Sequence, residues 1–133
     1  MRMADGQGDP AAQGIGVTEA HLSTHFGLET ADMVREVFDG DVARGVLLMR
    51  HSARTFDPAI HDLENRLTPH GRRLCEQFGL ALPKDLALRG YASPPHRCME
   101  TAELALKAHA EAGGDAGRTR PVGIPSRRRF RYR

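Results

Sequence analysis

The sequence predicts an α/β fold in which a parallel sheet is flanked by helices. Two observations predict it. Short apolar runs alternate along the chain with segments of helical periodicity, and the first of these runs is apolar on both faces, as is typical of strands buried between helices. The chain has 133 residues, of which 40% are hydrophobic, so it can bury one modest core. We therefore predict one α/β domain that begins with a helical preface.

Two helices are predicted before the first strand. Residues 1–16 contain almost no large apolar side chain, so we expect a disordered lead-in there. A short helix is predicted over 18–26, with Thr18 as its cap, and a second begins at Thr30 and ends before Gly40. The apolar positions of the second helix recur at helical spacing, at Met33, Val34, Val37 and Phe38.

The next elements are predicted to alternate strand, helix, strand, helix. The strands cover 46–50 and the neighbourhood of 88–93. The helix between them begins after Thr68, with Pro69 at its first position, and ends at Gly79. The inner faces are predicted to hold Leu74, Cys75 and Phe78 in this helix, and Ala102, Ala105, Leu106 and His109 in the last helix, over 97–112.

Composition and charge together divide the chain into three predicted parts. After the lead-in, residues 17–117 are the predicted ordered part, and 118–133 hold seven arginines and no acidic residue. Residues 121–125 fit a third strand. Residues 127–133 interleave arginine with two aromatic side chains, a pattern typical of nucleic-acid contacts but also of an unfolded end without a selected role. We favour the second interpretation, so nucleic acid is not the expected partner.

The composition argues against several classes of protein. Only two cysteines are present, Cys75 and Cys98, and they lie far apart, which excludes a disulfide scaffold and disfavours a zinc ribbon; both are predicted to be small buried side chains. No metal site and no cofactor is predicted. The longest apolar run, 46–49, is far too short for a membrane span, and the first residues lack the apolar region of a secretory signal. We expect a cytoplasmic protein without a membrane partner.

The residues that can do chemistry follow the predicted strands. Arg50, His51 and Arg54 lie at the carboxyl end of the first strand, and Arg97 opens the helix after the second. In an open parallel sheet, ligands bind beyond the carboxyl ends of the strands. Three guanidiniums around one imidazole predict a site for a doubly charged oxyanion, because the planar fork of arginine pairs with phosphate through two hydrogen bonds.

Three blocks in this order, RHSAR, LTPHGRR and SPPHRCMETAE, resemble the histidine phosphatase superfamily, also called phosphoglycerate mutase-like. The resemblance covers about residues 45–108 and includes features of the acid phosphatase branch and of bacterial phosphohistidine phosphatases. It implies that His51 is the nucleophile that becomes transiently phosphorylated, and that Arg50, Arg54 and Arg97 hold the phosphoryl oxygens. The implied substrate is a phosphomonoester or phosphohistidine, carried by a small molecule or a phosphoprotein.

The sequence also departs from the family pattern. Ser52 stands where the family usually has glycine, and the last histidine is His109, which is predicted to lie within a helix. The family's second pocket histidine and its general acid are therefore not matched. We expect a domain that lacks the family's later strands, as after a truncation or a shifted reading frame, with an exposed sheet edge that favours assembly or aggregation.

Two functions stay open at this point, besides the less favoured third one of a nucleic-acid binder with a basic tail. The chain hydrolyses a phosphate through a phospho-His51 intermediate, or it is a catalytically inactive module that binds phosphate or a phosphoprotein. The carboxylates of the loop after the RHSAR block are either a substitute proton donor or a solvated rim, and they are Asp57, Asp62 and Glu64.

Overall fold

Three helices and four short strands make up residues 27–123, the part of the chain that the computed structural model describes. This part is mixed α/β. The elements are α1 (Leu28–Phe38), a 3-10 turn (Asp62–Glu64), α2 (Pro69–Ala81), β1 (Ala87–Leu88), β2 (Tyr91–Ala92), α3 (His96–Glu111), β3 (Asp115–Ala116) and β4 (Arg120–Pro121). The predicted lead-in, the helix over 18–26 and the end of the Arg-rich segment lie outside the described residues.

The four strands form two parallel pairs, β1 with β3 and β2 with β4, and α3 is the crossover that joins the two runs. The register shifts by one residue between the pairs, because Ala87 faces Asp115 whereas Tyr91 faces Arg120. The later run thus has one extra residue, as in a β-bulge. The strand predicted near 88–93 therefore forms as two short pieces.

The possible third strand predicted over 121–125 begins one residue earlier. Pro121 is the last residue of β4, and the next residue, Val122, donates its backbone N–H to the carbonyl oxygen of Ala92 at 2.7 Å. Parallel pairing with β2 therefore continues just beyond β4, and the residues from 124 onward lie outside the described part.

Residues 46–50, predicted as a buried parallel strand, do not form one. Val46 and Leu48 are 97% and 94% exposed, and within 27–123 the segment belongs to neither parallel pair. A strand that is apolar on both faces needs partner strands and covering helices. The prediction is wrong for the described part of the chain because these partners are missing there, although the residues themselves favour an extended conformation.

Helix α1 begins earlier than predicted and packs through a narrower face. Its N-cap is Gly27, in a left-handed conformation with φ of 84°, and the predicted cap Thr30 lies inside the helix. Glycine adopts this conformation without steric cost. Ala31 is buried, whereas Met33 and Val37, which the spacing assigns to the inner face, are exposed. Val34 is half-buried and packs against the core beside Ala31, so part of the predicted inner face is confirmed and part is exposed.

Helices α2 and α3 pack on each other and form the core. The prediction that Thr68 caps α2 is confirmed, since its Oγ1 accepts the backbone N–H of Gly71 at 2.9 Å. The helix does not stop at Gly79 but continues to Ala81. The predicted inner residues Leu74, Cys75, Phe78, Ala105, Leu106 and His109 are buried, and Ala102 is half-buried.

The contact between α2 and α3 is closest at Gly79. A Cβ atom at this position would overlap the backbone carbonyl of Ala105 on α3. Glycine is therefore required by the close approach of the two helices, and not by the end of a helix. None of the helices within 27–123 is long and apolar enough to cross a bilayer.

Candidate anion-binding site around His51

The segment that carries His51 lies against both packed helices. The backbone N–H of Ser52 donates to Thr101 Oγ1 on α3 at 3.1 Å, and the Ser52 hydroxyl donates to the carbonyl of Gly71 on α2 at 2.8 Å. A Cβ atom on Gly71 would overlap the carbonyl of Ala53. The glycine of the LTPHG block is therefore what lets the RHSAR block reach the helices.

Ser52 is buried, and its hydroxyl has a structural role. It takes the place of the glycine that the resembled family usually has, and the hydrogen bond to Gly71 satisfies the polar group that the substitution adds. The departure from the family pattern is thus accommodated by the fold, and it leaves the neighbouring imidazole in place.

His51 is half-buried, and one of its ring nitrogens is already engaged. Nδ1 lies 2.8 Å from the carbonyl oxygen of Ser52. Because a carbonyl can only accept, the proton is assigned to Nδ1, and the neutral ring then carries its lone pair on Nε2. Within 27–123, Nε2 has no hydrogen bond that would occupy this lone pair. The structure therefore leaves the atom that can act as a nucleophile available.

Arg54 and Arg97, which the sequence places far apart, meet at one carboxylate. The two Asp62 carboxylate oxygens lie 2.7 Å from Arg54 Nη1 and 3.1 Å from Arg97 Nη2. Arg97 Nη1 also donates to the Asp62 backbone carbonyl at 2.6 Å. The Arg97 side chain is only 9% exposed. Two guanidiniums from different segments thus converge on one anion.

Arg97 is linked to the histidine segment through its own helix. Thr101, one turn further along α3, donates its hydroxyl to the Arg97 carbonyl at 2.7 Å and accepts the N–H of Ser52. Arg97 also lies in the first turn of α3, where the helix dipole adds positive potential. The backbone next to His51 is therefore two hydrogen bonds away from the backbone of Arg97.

Arg50 is not drawn into this group. It is exposed, and it makes no hydrogen bond or ion pair with any residue of 27–123. Its expected position depends on the strand over 46–50, which does not form. Of the four site residues predicted from the sequence, Arg54 and Arg97 meet at Asp62, the His51 segment is linked to the helix of Arg97 through Thr101, and Arg50 makes neither connection.

The structure gives one residue a different role from the predicted one and adds two residues that the sequence did not indicate. Asp62, predicted to be a proton donor or a rim residue, pairs with both arginines. Asn65 is buried and holds the loop closed, accepting the Asp57 N–H at 2.9 Å. Thr101 lies four residues after Arg97, and this spacing places the two residues on one face of the helix. The spacing is the sequence signal that could have identified Thr101.

The other two loop carboxylates do not contact the arginines. Asp57 accepts the backbone N–H of Ala59 at 2.9 Å, as in an Asx-turn, and Glu64 is exposed. Within 27–123, no group of three or more His, Cys, Asp or Glu side chains could hold a metal ion.

Cys75 lies beneath the site, next to Ser52 and Thr101, and burial raises the pKa of its thiol above the ordinary value near 9. The unfolded chain therefore releases this proton at a lower pH than the folded chain does. The contribution of Cys75 to stability is complete below pH 9 and falls as the pH rises above it.

Cys98, which the sequence also predicts to be buried, is half-buried.

We expect the free energy of unfolding to decrease above pH 9, and to decrease less in Cys75→Ala. Urea denaturation of both proteins at several pH values from 8 to 10.5 measures this difference. Cys98→Ala is the matched control and should follow the wild-type slope more closely. Equal slopes for wild type and Cys75→Ala would show that the Cys75 thiol is not protected in the folded chain.

No protein-family model, no curated protein and no solved structure matches this chain. What the chain does is therefore inferred from its residues and their geometry.

Proposed function

We propose that the protein hydrolyses a phosphomonoester or a phosphohistidine through a phosphorylated His51. The observation that carries this proposal is the hydrogen bond between His51 Nδ1 and the Ser52 carbonyl, which assigns the proton of the neutral imidazole to Nδ1 and its lone pair to Nε2. The proposal is also supported by the two hydrogen bonds of Thr101, which link the same segment to the helix that carries Arg97. A nucleophile and fixed positive charge are two of the elements that a phosphoryl transfer uses, and the proton for the leaving group is a third.

The reaction proceeds in two displacements. In the first, His51 Nε2 attacks phosphorus, the P–N bond forms as the bond to the leaving oxygen or nitrogen breaks, and the leaving group takes a proton from water. In the second, the oxygen of water bonds to phosphorus as the P–N bond of phospho-His51 breaks, and the proton that this water loses neutralises the hydroxide left by the first step. Inorganic phosphate then leaves and the imidazole is regenerated. Dividing the transfer in this way replaces one difficult step by two easier ones.

The arginines stabilise the charge that moves during both steps. The non-bridging oxygens of the transferring group carry negative charge throughout, and fixed guanidiniums hold it without reorganising. Arg97 is suited to this role because it is almost fully buried and therefore less hydrated than a surface arginine. Arg54 approaches from the other segment.

We also propose that the protein belongs to the histidine phosphatase superfamily and has a phosphoglycerate mutase-like arrangement of strands. The three sequence blocks support this assignment, as does the parallel crossover through α3. We also propose a cytoplasmic location, in keeping with two cysteines that are both free thiols.

A second function, phosphate or phosphoprotein binding without turnover, is favoured by one observation. His109 is the last histidine of the sequence, and it is completely buried, with Nε2 2.9 Å from the Leu86 carbonyl oxygen. It therefore cannot contact a substrate as the second pocket histidine of the resembled family does. In this alternative His51 and the arginines hold the anion and no bond breaks.

Trapping the intermediate tests the proposal. The full chain is mixed with a phosphohistidine analogue such as phosphoramidate, quenched in alkali, and digested for mass spectrometry. We expect a phosphate group on the peptide that contains His51, together with steady release of inorganic phosphate. If orthovanadate binds but neither phosphate release nor a phosphorylated histidine is detected, hydrolysis is wrong and the binding module is the better description.

A further inference from the structure

We propose that Asp62 is a built-in competitor of the phosphoryl group, an internal anion that occupies the guanidiniums of Arg54 and Arg97 until a dianionic ligand displaces it. This inference deepens the proposed function and rests on its anion site. Its test measures binding, so it can fail or succeed independently of any turnover.

The contacts of Asp62 imitate those of a bound oxyanion. Its two carboxylate oxygens each pair with a different guanidinium, at 2.7 Å and 3.1 Å, and these guanidiniums belong to different segments of the chain. Non-bridging phosphate oxygens are held in the same way, through charge-assisted hydrogen bonds from the planar arginine fork. The carboxylate therefore stands where a ligand's oxygens are expected.

One donor of Arg97 is not matched by the carboxylate. Its Nε is buried and has no hydrogen-bond partner among the described residues, although both of its terminal nitrogens donate to Asp62. A buried donor without an acceptor is costly. A carboxylate has two oxygens, whereas a phosphoryl group presents three, so a tetrahedral anion can supply the missing acceptor.

The loop that carries Asp62 has few contacts that would prevent the carboxylate from moving away from the arginines. Residues 58–64 are all exposed, and their hydrogen bonds are local apart from those of Asp62. The base of the loop is fixed independently, by the antiparallel bridge between Arg54 and Leu67 and by buried Asn65. Displacing the carboxylate therefore breaks few other contacts.

Burial is unequal across the ion pairs. The Asp62 side chain is 53% exposed, against 9% for Arg97. The cation is part of the packed fold, while its present anion sits on the solvent side. A partly exposed ion pair of this kind contributes little net stability, because water solvates the carboxylate almost as well. A dianion that pairs with both arginines and with Nε is therefore able to replace it.

The test compares orthovanadate binding to the full-length wild type and to Asp62→Asn, by isothermal titration calorimetry. Asparagine keeps the size of the side chain and the backbone carbonyl that Arg97 contacts, and it removes the competing charge. We expect the Kd for vanadate to fall about tenfold in Asp62→Asn. The matched control is Asp57→Asn in the same loop, which does not touch either arginine and should bind within about twofold of wild type.

An unchanged or weaker affinity in Asp62→Asn, or the absence of vanadate binding in both proteins, overturns the inference.

Should the variant fail to fold, NMR of the wild type answers the same question, through the carboxyl carbon resonance of Asp62. We expect it to shift on saturation with vanadate together with the Arg97 Nε–H signal. An Arg97 shift without an Asp62 shift shows that the anion binds without displacing the carboxylate. Tighter binding without turnover would leave this inference standing and would contradict hydrolysis alone.

Discussion

Replacing His51 by glutamine is expected to slow phosphate release from a chromogenic phosphomonoester at least about a thousandfold, because the amide cannot form the covalent intermediate. Glutamine has a similar size, and the segment is held against α3 and α2 by the hydrogen bonds of Ser52 to Thr101 and Gly71, which do not involve the imidazole. The guanidiniums that hold the anion pair with Asp62 and not with His51. Inorganic phosphate should therefore bind with a Kd within about threefold of the wild-type value.

The matched control for this variant is His61→Gln. His61 is an exposed histidine in the neighbouring loop, and its Nδ1 accepts the backbone N–H of Leu63 at 3.3 Å, a hydrogen bond that involves neither His51 nor the two arginines. Its turnover should stay within about twofold of wild type. Steady-state kinetics and phosphate titration of the three proteins measure both quantities. A His51→Gln enzyme that keeps more than about a tenth of the activity would exclude a nucleophilic role for this histidine.

The helices were predictable because their signals are local. The Thr68 cap with Pro69 behind it marks the start of α2, and the apolar spacing of α3 identifies its buried face. The strand over 46–50 was not predictable in the same way, since a strand exists only where distant segments pair with it. In α1 the periodicity identifies Val34, which packs against the core, but not the glycine N-cap or the buried Ala31.

The residues of the candidate site also divide into those with a local sequence signal and those whose role depends on contacts between distant segments. His51, Arg54 and Arg97 belong to short motifs that carry a chemical meaning, so the sequence alone identifies them. The role of Asp62 depends on how a loop without regular periodicity folds back on two arginines, and no spacing rule describes that conformation. Asn65 is similar, because its contacts with Asp57 exist only once the loop has closed.

Gly79→Ala is expected to destabilise the protein by about 2 kcal/mol, or about 10 °C in Tm, through overpacking between α2 and α3. The added methyl group would overlap the Ala105 carbonyl, and backbone atoms cannot move aside as the end of a flexible side chain can. The helices must therefore separate, and the core that contains Phe78, Leu82 and Ala105 loosens with them. Thermal denaturation followed by circular dichroism measures the change.

Gly40→Ala is the control for the direction of the change in Tm. Its Cβ would lie 3.6 Å from the Val37 carbonyl oxygen, an ordinary contact, so its Tm should remain near the wild-type value. In an exposed helix interior, alanine is more favourable than glycine by about 1 kcal/mol. If the approach of α2 to α3 were loose, Gly79→Ala would therefore raise the Tm. A lowered Tm in Gly79→Ala alone requires the two helices to be in backbone contact, and this packing is what brings Gly71 and Thr101 to the two sides of the His51 segment.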